Sequence, residues 1–181
     1  MGKSNKKYAF IADAMLGKIA RKLRIFGFNT IYDSDIDDKG ILETSKNHGR
    51  IVLTSDKTLF NKCKKDGINS ILICKDNEIE NLVDIFRSLN IKSIKSLKIP
   101  FLCTSCNNQL NTIIDKNLIR YEIPDRLRRS NKIFYKCTKC KKIYWSGTHM
   151  KQISLLTKEI NTKLKSLDAP ILGNGDKKVH Y

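Results

Sequence analysis

Apolar positions follow two alternating periods along the first ninety or so residues. Short runs rich in apolar and β-branched residues, Tyr8–Ala12, Asn29–Tyr32, Arg50–Thr54 and Ser70–Cys74, are long enough for strands and too short for helices. Between them the spacing widens. Apolar residues at 15, 16, 19, 20, 23 and 26 predict a helix over Ala14–Phe26, closed by Gly27. Further helices are predicted over about Lys39–Asn47, from Ser55-Asp56 to Lys64, and over Glu78–Leu89. Strands alternating with helices imply right-handed βαβ units, hence an α/β fold with a parallel sheet covered on both faces. The alternation stops near Ser93–Pro100, and a last helical pattern (Ile153, Leu156, Ile160, Leu164, Leu167) occupies the basic C-terminal stretch.

This architecture gives the acidic residues a shared address. Asp13 follows the first strand, Asp56 follows the third, and Asp33–Asp38, with four carboxylates in six residues, follows the second. Parallel sheets bind ligands outside the carboxyl ends of their strands. Taken singly, Asp13 and Asp56 read equally well as helix N-caps worth about 1 kcal/mol each, and Asp33–Asp38 as a solvated turn. Taken together they read as one divalent-cation site, since crowded carboxylates are best tolerated around a cation. Oxygen donors with no His or Cys nearby in sequence suit Mg²⁺ or Mn²⁺ rather than zinc. A metal-dependent phosphodiesterase is the chemistry such a site supports. Lys18, Arg21 and Lys22 lie off the apolar stripe of the first helix, as candidate phosphate contacts or as a plain solvated face. No Gly-rich phosphate loop occurs, which argues against a nucleotide cofactor.

Composition and cysteine spacing add a second module. Lys and Arg outnumber Asp and Glu by 35 to 18, and the net charge of +17 implies a polyanionic partner, with nucleic acid favoured over membrane. No apolar run is long enough for a membrane span or a signal core, so the chain reads as cytoplasmic with no membrane partner. Cys103-Thr-Ser-Cys106 and Cys137-Thr-Lys-Cys140 are two knuckles able to supply four thiolates to a closed, structural zinc. Cys63 and Cys74 read as packing residues. Residues 101–181 hold 16 basic against 6 acidic residues, so the ribbon is the candidate grip on nucleic acid, through Arg126, Arg128 and Arg129. Its aromatics either stack on bases or fill a small core, and Phe134 and Tyr144 are expected in the core. The division expected is 1–98, a ribbon over 99–150, and a basic helix with a disordered tail over 151–181.

Several stretches carry a resemblance as an ordered set. Phe10-Ile-Ala-Asp-Ala-Met-Leu-Gly-Lys-Ile-Ala-Arg21, Tyr32–Asp38, Leu53-Thr-Ser-Asp-Lys-Thr-Leu59, the two knuckles and Tyr144-Trp-Ser-Gly-Thr-His149 resemble the Mut-seven C-terminal RNase family, over about residues 8 to 150. The resemblance implies a PIN-like parallel sheet flanked by helices, followed by a zinc ribbon, with Mg²⁺- or Mn²⁺-dependent hydrolysis of RNA. Asp13 and Asp56 match the acids after the first and third strands. Asp38 best matches the middle acid, since it directly precedes the second helix, with Asp35 and Asp37 as close competitors. Asp76 and Glu78 lie where a fourth acid is expected but match no motif.

The leading expectation is a ribonuclease with Asp13, Asp38 and Asp56 on the catalytic ion, Asp35 in support, and a structural Zn²⁺ at Cys103, Cys106, Cys137 and Cys140. The alternative is a non-catalytic adaptor that binds RNA or the ribosome through the same ribbon, its acids reduced to caps and turns. A phosphatase of the haloacid-dehalogenase type would need an Asp-x-Asp pair after the first strand, where Asp13 stands alone. His149 reads as a substrate contact or as a structural residue.

Overall fold

A computed structural model of the chain describes residues 8–95 and 102–166, with the side chains of 148–150 left out. The expected boundary at 98/99, the tail over 169–181 and the side chain of His149 lie outside the described residues. Strands β1 (Ala9–Ala12), β2 (Asn29–Tyr32), β3 (Ile51–Thr54) and β4 (Ser70–Leu72) form a parallel sheet in the order β2-β1-β3-β4. Helices α1 (Gly17–Ile25), α2 (Asp38–His48), α3 (Lys57–Lys65) and α4 (Glu78–Ser88) connect or follow them.

Strand alternation splits the core into two layers. Phe10, Ala12 and Leu53 face one side, packing with Leu23 of α1 and Phe86 of α4. Ile11 and Val52 face the other, against Ile41 and Leu42 of α2 and Leu59 and Cys63 of α3. Cys63 is fully buried in that layer, as a packing residue should be, whereas Cys74 is exposed. In the first layer Phe28 stacks on Phe86 at 5.5 Å and meets Phe10 edge-on at 5.8 Å. Each such fully buried side chain contributes roughly 2–3 kcal/mol by burial.

The first helix starts differently from expectation. Ala14–Leu16 form a 3₁₀ turn before α1 begins at Gly17. Tyr32 is the reason: its hydroxyl donates to the Ala14 carbonyl at 3.0 Å, and its ring lies over Gly17. A Cβ at Gly17 would come within 2.7 Å of that hydroxyl oxygen, so any larger residue there would have to displace the Tyr32 ring.

A three-stranded antiparallel sheet follows, β5 (Leu110–Ile113), β6 (Phe134–Cys137) and β7 (Ile143–Trp145), in that spatial order. The spacer between β5 and β6 carries a 3₁₀ turn, Lys116–Ile119, and the short α5 (Asp125–Ser130). Among the described residues Ile119, Ile123 and Phe134 make the buried cluster of this sheet, with Trp145 half-buried beside them. Phe134 thus fills core, and so small a core needs a metal or another staple. The long α6 (Thr148–Ser166) then returns to the first sheet. Its Ile160 and Leu164 join the core beside α4. The Asn161 amide brackets Ile94, accepting from its N–H and donating to its carbonyl at 2.9 Å each.

Candidate active site and metal centre

Strand order reverses between β1 and β3, because the chain leaves β1 for β2 on one side and returns to β3 on the other. A crevice opens at the carboxyl ends of two parallel strands at such a switch point. Asp13 and Asp56 stand there, one after each strand. The Asp13 N–H donates across the junction to the Leu53 carbonyl at 2.9 Å. Thr54, fully buried at the end of β3, ties the two acids together. Its hydroxyl donates to Asp13 Oδ2 at 2.7 Å and accepts the Asp56 N–H at 2.9 Å. Thr54 lies in the Leu53–Leu59 stretch that carries the resemblance, but the hydrophobic pattern alone gives it no role, since a threonine ending a buried strand is ordinary.

Both acids also cap. Asp13 Oδ1 accepts from the Ala14 N–H at 2.6 Å and Asp56 Oδ1 from the Thr58 N–H at 2.6 Å. The cap and ligand readings therefore fall on the same side chains. The acidic loop is divided more sharply. Asp33 accepts from the Asp35 N–H in a local turn at 3.1 Å. Asp37, not Asp38, is the N-cap of α2, accepting from the Gly40 N–H at 2.8 Å. Asp38 is the first helical residue, exposed, and Asp35 meets only the Ser34 hydroxyl at 3.4 Å. The carboxylates share one edge of the sheet without closing a shell. Among the described residues, the one group of three or more ligand side chains within metal-binding reach of one another is formed by cysteines.

That group is Cys103, Cys106, Cys137 and Cys140, with all four sulfurs within 4.8 Å of one another. Sγ–Sγ separations are 3.5 Å for Cys103–Cys140 and 3.3 Å for Cys106–Cys137, far too long for disulfides. A zinc tetrahedron with Zn–S bonds of about 2.3 Å has sulfur edges just under 4 Å, so the donor set fits structural Zn²⁺. Burial raises the Cys106 thiol, but hydrogen bonds from the Asn108 N–H and the neighbouring thiols bring it down to about 6. Burial and those same neighbours push Cys140 up to about 12. Four thiolates cannot share this volume without a cation to balance them. Tyr144 supports the cluster. Its hydroxyl oxygen lies 3.1 Å from Cys103 Sγ and accepts the Thr104 N–H at 3.1 Å.

One buried cation joins the two regions, and sequence reasoning missed it. Arg24 of α1 is 3% exposed. Its Nε donates to the Thr30 carbonyl at 2.9 Å, and its Nη1 donates to the carbonyls of Thr104 and Ser105 at 2.9 and 3.1 Å. Asn107, at positive φ in the first knuckle, accepts from the Thr30 N–H at 3.1 Å and donates to Asn29 Oδ1 at 2.8 Å. The ribbon is thereby fastened to α1 and β2.

The cations expected to grip RNA fall in different settings. Lys18 and Lys22 both pair with Glu78, Lys18 at 3.7 Å and Lys22 in closer contact. Burial lowers the pKa of Lys22, and the charge of Lys18 adds to the effect. Arg21 lines a small cavity with Met15, Tyr32 and Glu78. On α5, Arg128 is held by Asp125, to which its Nε donates at 3.1 Å, while Arg126 and Arg129 are exposed.

The family model of the Mut7-C RNAse domain matches residues 8–157. The chain belongs to this family. The match runs past position 150 into the first half of α6, while Ile160 and Leu164, through which that helix joins the first core, lie beyond its end. No curated protein matches the chain. Membership points to a nuclease, RNA-related role, and the cysteine cluster is consistent with zinc binding. Among the described residues no helix is long and apolar enough to cross a membrane.

Proposed function

We propose that the chain is a metal-dependent ribonuclease whose active site is the crevice between β1 and β3, built on a PIN-like sheet. The observation that carries this reading is the Thr54 hydroxyl, which couples the Asp13 carboxylate to the Asp56 backbone across the switch point. A buried hydroxyl joining two acid-bearing loops holds the Asp13 carboxylate in fixed relation to the Asp56 backbone, which a ligand site needs and two separate helix caps do not. Asp13, Asp38 and Asp56 would hold Mg²⁺ or Mn²⁺, with Asp35 supporting. Mg²⁺ keeps much of its water and needs only one or two protein carboxylates, so an open set of acids suits it. Such an ion, when bound, lowers the pKa of its water and balances charge on a phosphoryl group. The residues of the chain do the rest: Lys18 and Arg21 bind the backbone phosphates, and the ribbon arginines Arg126, Arg128 and Arg129 hold the RNA beyond the scissile bond.

One observation favours the adaptor reading: Asp13 and Asp56 each make a cap hydrogen bond, and the carboxylates close no shell. Substitution by Asn separates the two. Asn caps a helix as well as Asp does but carries no charge. In a ribonuclease, Asp13→Asn with Asp56→Asn abolishes Mn²⁺-stimulated cleavage of RNA by the purified, zinc-loaded chain while the fold persists. Unchanged cleavage in the double variant, or no cleavage by the parent chain, removes the ribonuclease and leaves an RNA- or ribosome-binding adaptor.

A further inference from the structure

A second concavity, away from the acidic crevice, lies where α1, the ribbon and α6 meet. Its volume is about 1230 Å³, larger than the roughly 300–1,000 Å³ that a single small ligand occupies. Ile25 of α1, Leu127 of α5 and Ile153 and Leu156 of α6 give it an apolar floor. Arg126 and Lys142 stand in its wall, both exposed, Lys142 donating to the neutral Ser105 hydroxyl at 3.1 Å, and no acidic residue lines it among the described residues. Lys22 also reaches it, but its head is engaged by Glu78. Trp145, the one tryptophan of the chain, is half-buried in the same wall. Gly147 keeps the indole edge clear, because a Cβ there would come within 3.0 Å of Trp145 Nε1.

We propose that this cleft binds single-stranded RNA, with an unpaired base against Trp145 and the flanking phosphates at Arg126 and Lys142. The inference rests on the RNA-directed part of the reading above and is independent of cleavage. Charge selects a polyanion, since the lining carries cations and no carboxylate in a chain of net charge +17. The recessed indole selects strandedness. A duplex presents phosphates outward and keeps its base faces stacked, so its bases cannot reach a ring half-buried in a three-walled cleft. An unpaired strand can splay a base onto an aromatic face and lay its phosphates along the basic rim.

Trp145 is its own reporter. The parent chain, zinc-loaded and free of added Mg²⁺ and Mn²⁺, is titrated with fluorescent-labelled oligoadenylate, alone or paired with oligouridylate. Indole fluorescence and anisotropy of the label are followed together. The single strand should quench the indole saturably and bind about tenfold or more tightly than the duplex. Arg126→Glu with Lys142→Glu, both at exposed positions, should weaken binding by about tenfold or more. Equal or tighter duplex binding overturns the proposal. So does binding seen by anisotropy with a silent indole and no response to the charge reversals, and so does no binding of either form. The two readings fail separately. Mn²⁺-dependent cleavage with a silent indole removes the cleft and keeps the ribonuclease; quenching without cleavage keeps the cleft and removes the ribonuclease.

Discussion

The acids at the edge of the parallel sheet and the thiols of the ribbon are both ligand sets, held by opposite means. Around the thiols the small antiparallel sheet has, among the described residues, a buried cluster of just Ile119, Ile123 and Phe134, and the four sulfurs lie within 4.8 Å of one another. Around the acids the sheet has a core of two layers, and the carboxylates close no shell: Asp13 and Asp56 are anchored locally by backbone N–H groups, and Asp38 stands exposed. A site whose ligands are also its staple must close up. A site on a self-sufficient scaffold can stay open, as a catalytic centre must if water and substrate are to enter. Arg24 and Asn107 make the two regions one body, so damage at the ribbon should be felt at β2.

Four variants break or sharpen that contrast, in falling order of effect. Cys137→Ser should cost the ribbon its fold, because metal binding in modules of this size supplies on the order of 10 kcal/mol. Loss of near-ultraviolet dichroism from Trp145 and rapid proteolysis after residue 102 would register it, while the parallel sheet keeps its far-ultraviolet signal. Asp13→Asn with Asp56→Asn should lower Mn²⁺-stimulated cleavage by about a thousandfold or more, equivalent to about 4 kcal/mol in the barrier. Its melting temperature should stay within a few degrees of the parent, since both caps survive and the one bond lost is that from the Thr54 hydroxyl to Asp13 Oδ2. Arg24→Met keeps the apolar stem but strands three carbonyl groups, and should cost about 2–4 kcal/mol in urea unfolding. Hydrogen exchange should then quicken in residues 102–107 and β2 together. Thr54→Val is the mildest. It leaves the Asp56 N–H without its side-chain acceptor and should cost about 1–2 kcal/mol of stability. Cleavage should drop by about tenfold as the two acid-bearing loops lose registry.

Much of this was legible in the chain because period and spacing are robust signals. The βα alternation of the first ninety residues led to the parallel sheet, and two Cys-x-x-Cys pairs led to the thiol cluster. What escaped is instructive. Arg24 sits among the basic residues of α1, and its turn inward depends on carbonyls eighty residues away, which no local pattern announces. Thr54 looks like one more β-branched strand residue, and its role comes from the neighbour of β3 in space. Asp37 and Asp38 are adjacent carboxylates, and which one caps depends on where α2 takes its first turn, a matter of one residue. The pairing of Lys18 and Lys22 with Glu78 likewise needed the packing of α1 on α4.

The most direct test of the central claim is anomalous diffraction from crystals of the zinc-loaded chain soaked in Mn²⁺. The account predicts a manganese peak in the crevice between β1 and β3, within about 2.2 Å of a carboxylate oxygen of Asp13 and coordinated also by Asp56 or Asp38, with water completing the shell. A crevice without manganese at saturating concentration, Asp13 still bound to Thr54 and Ala14, would contradict it and leave these acids as helix caps.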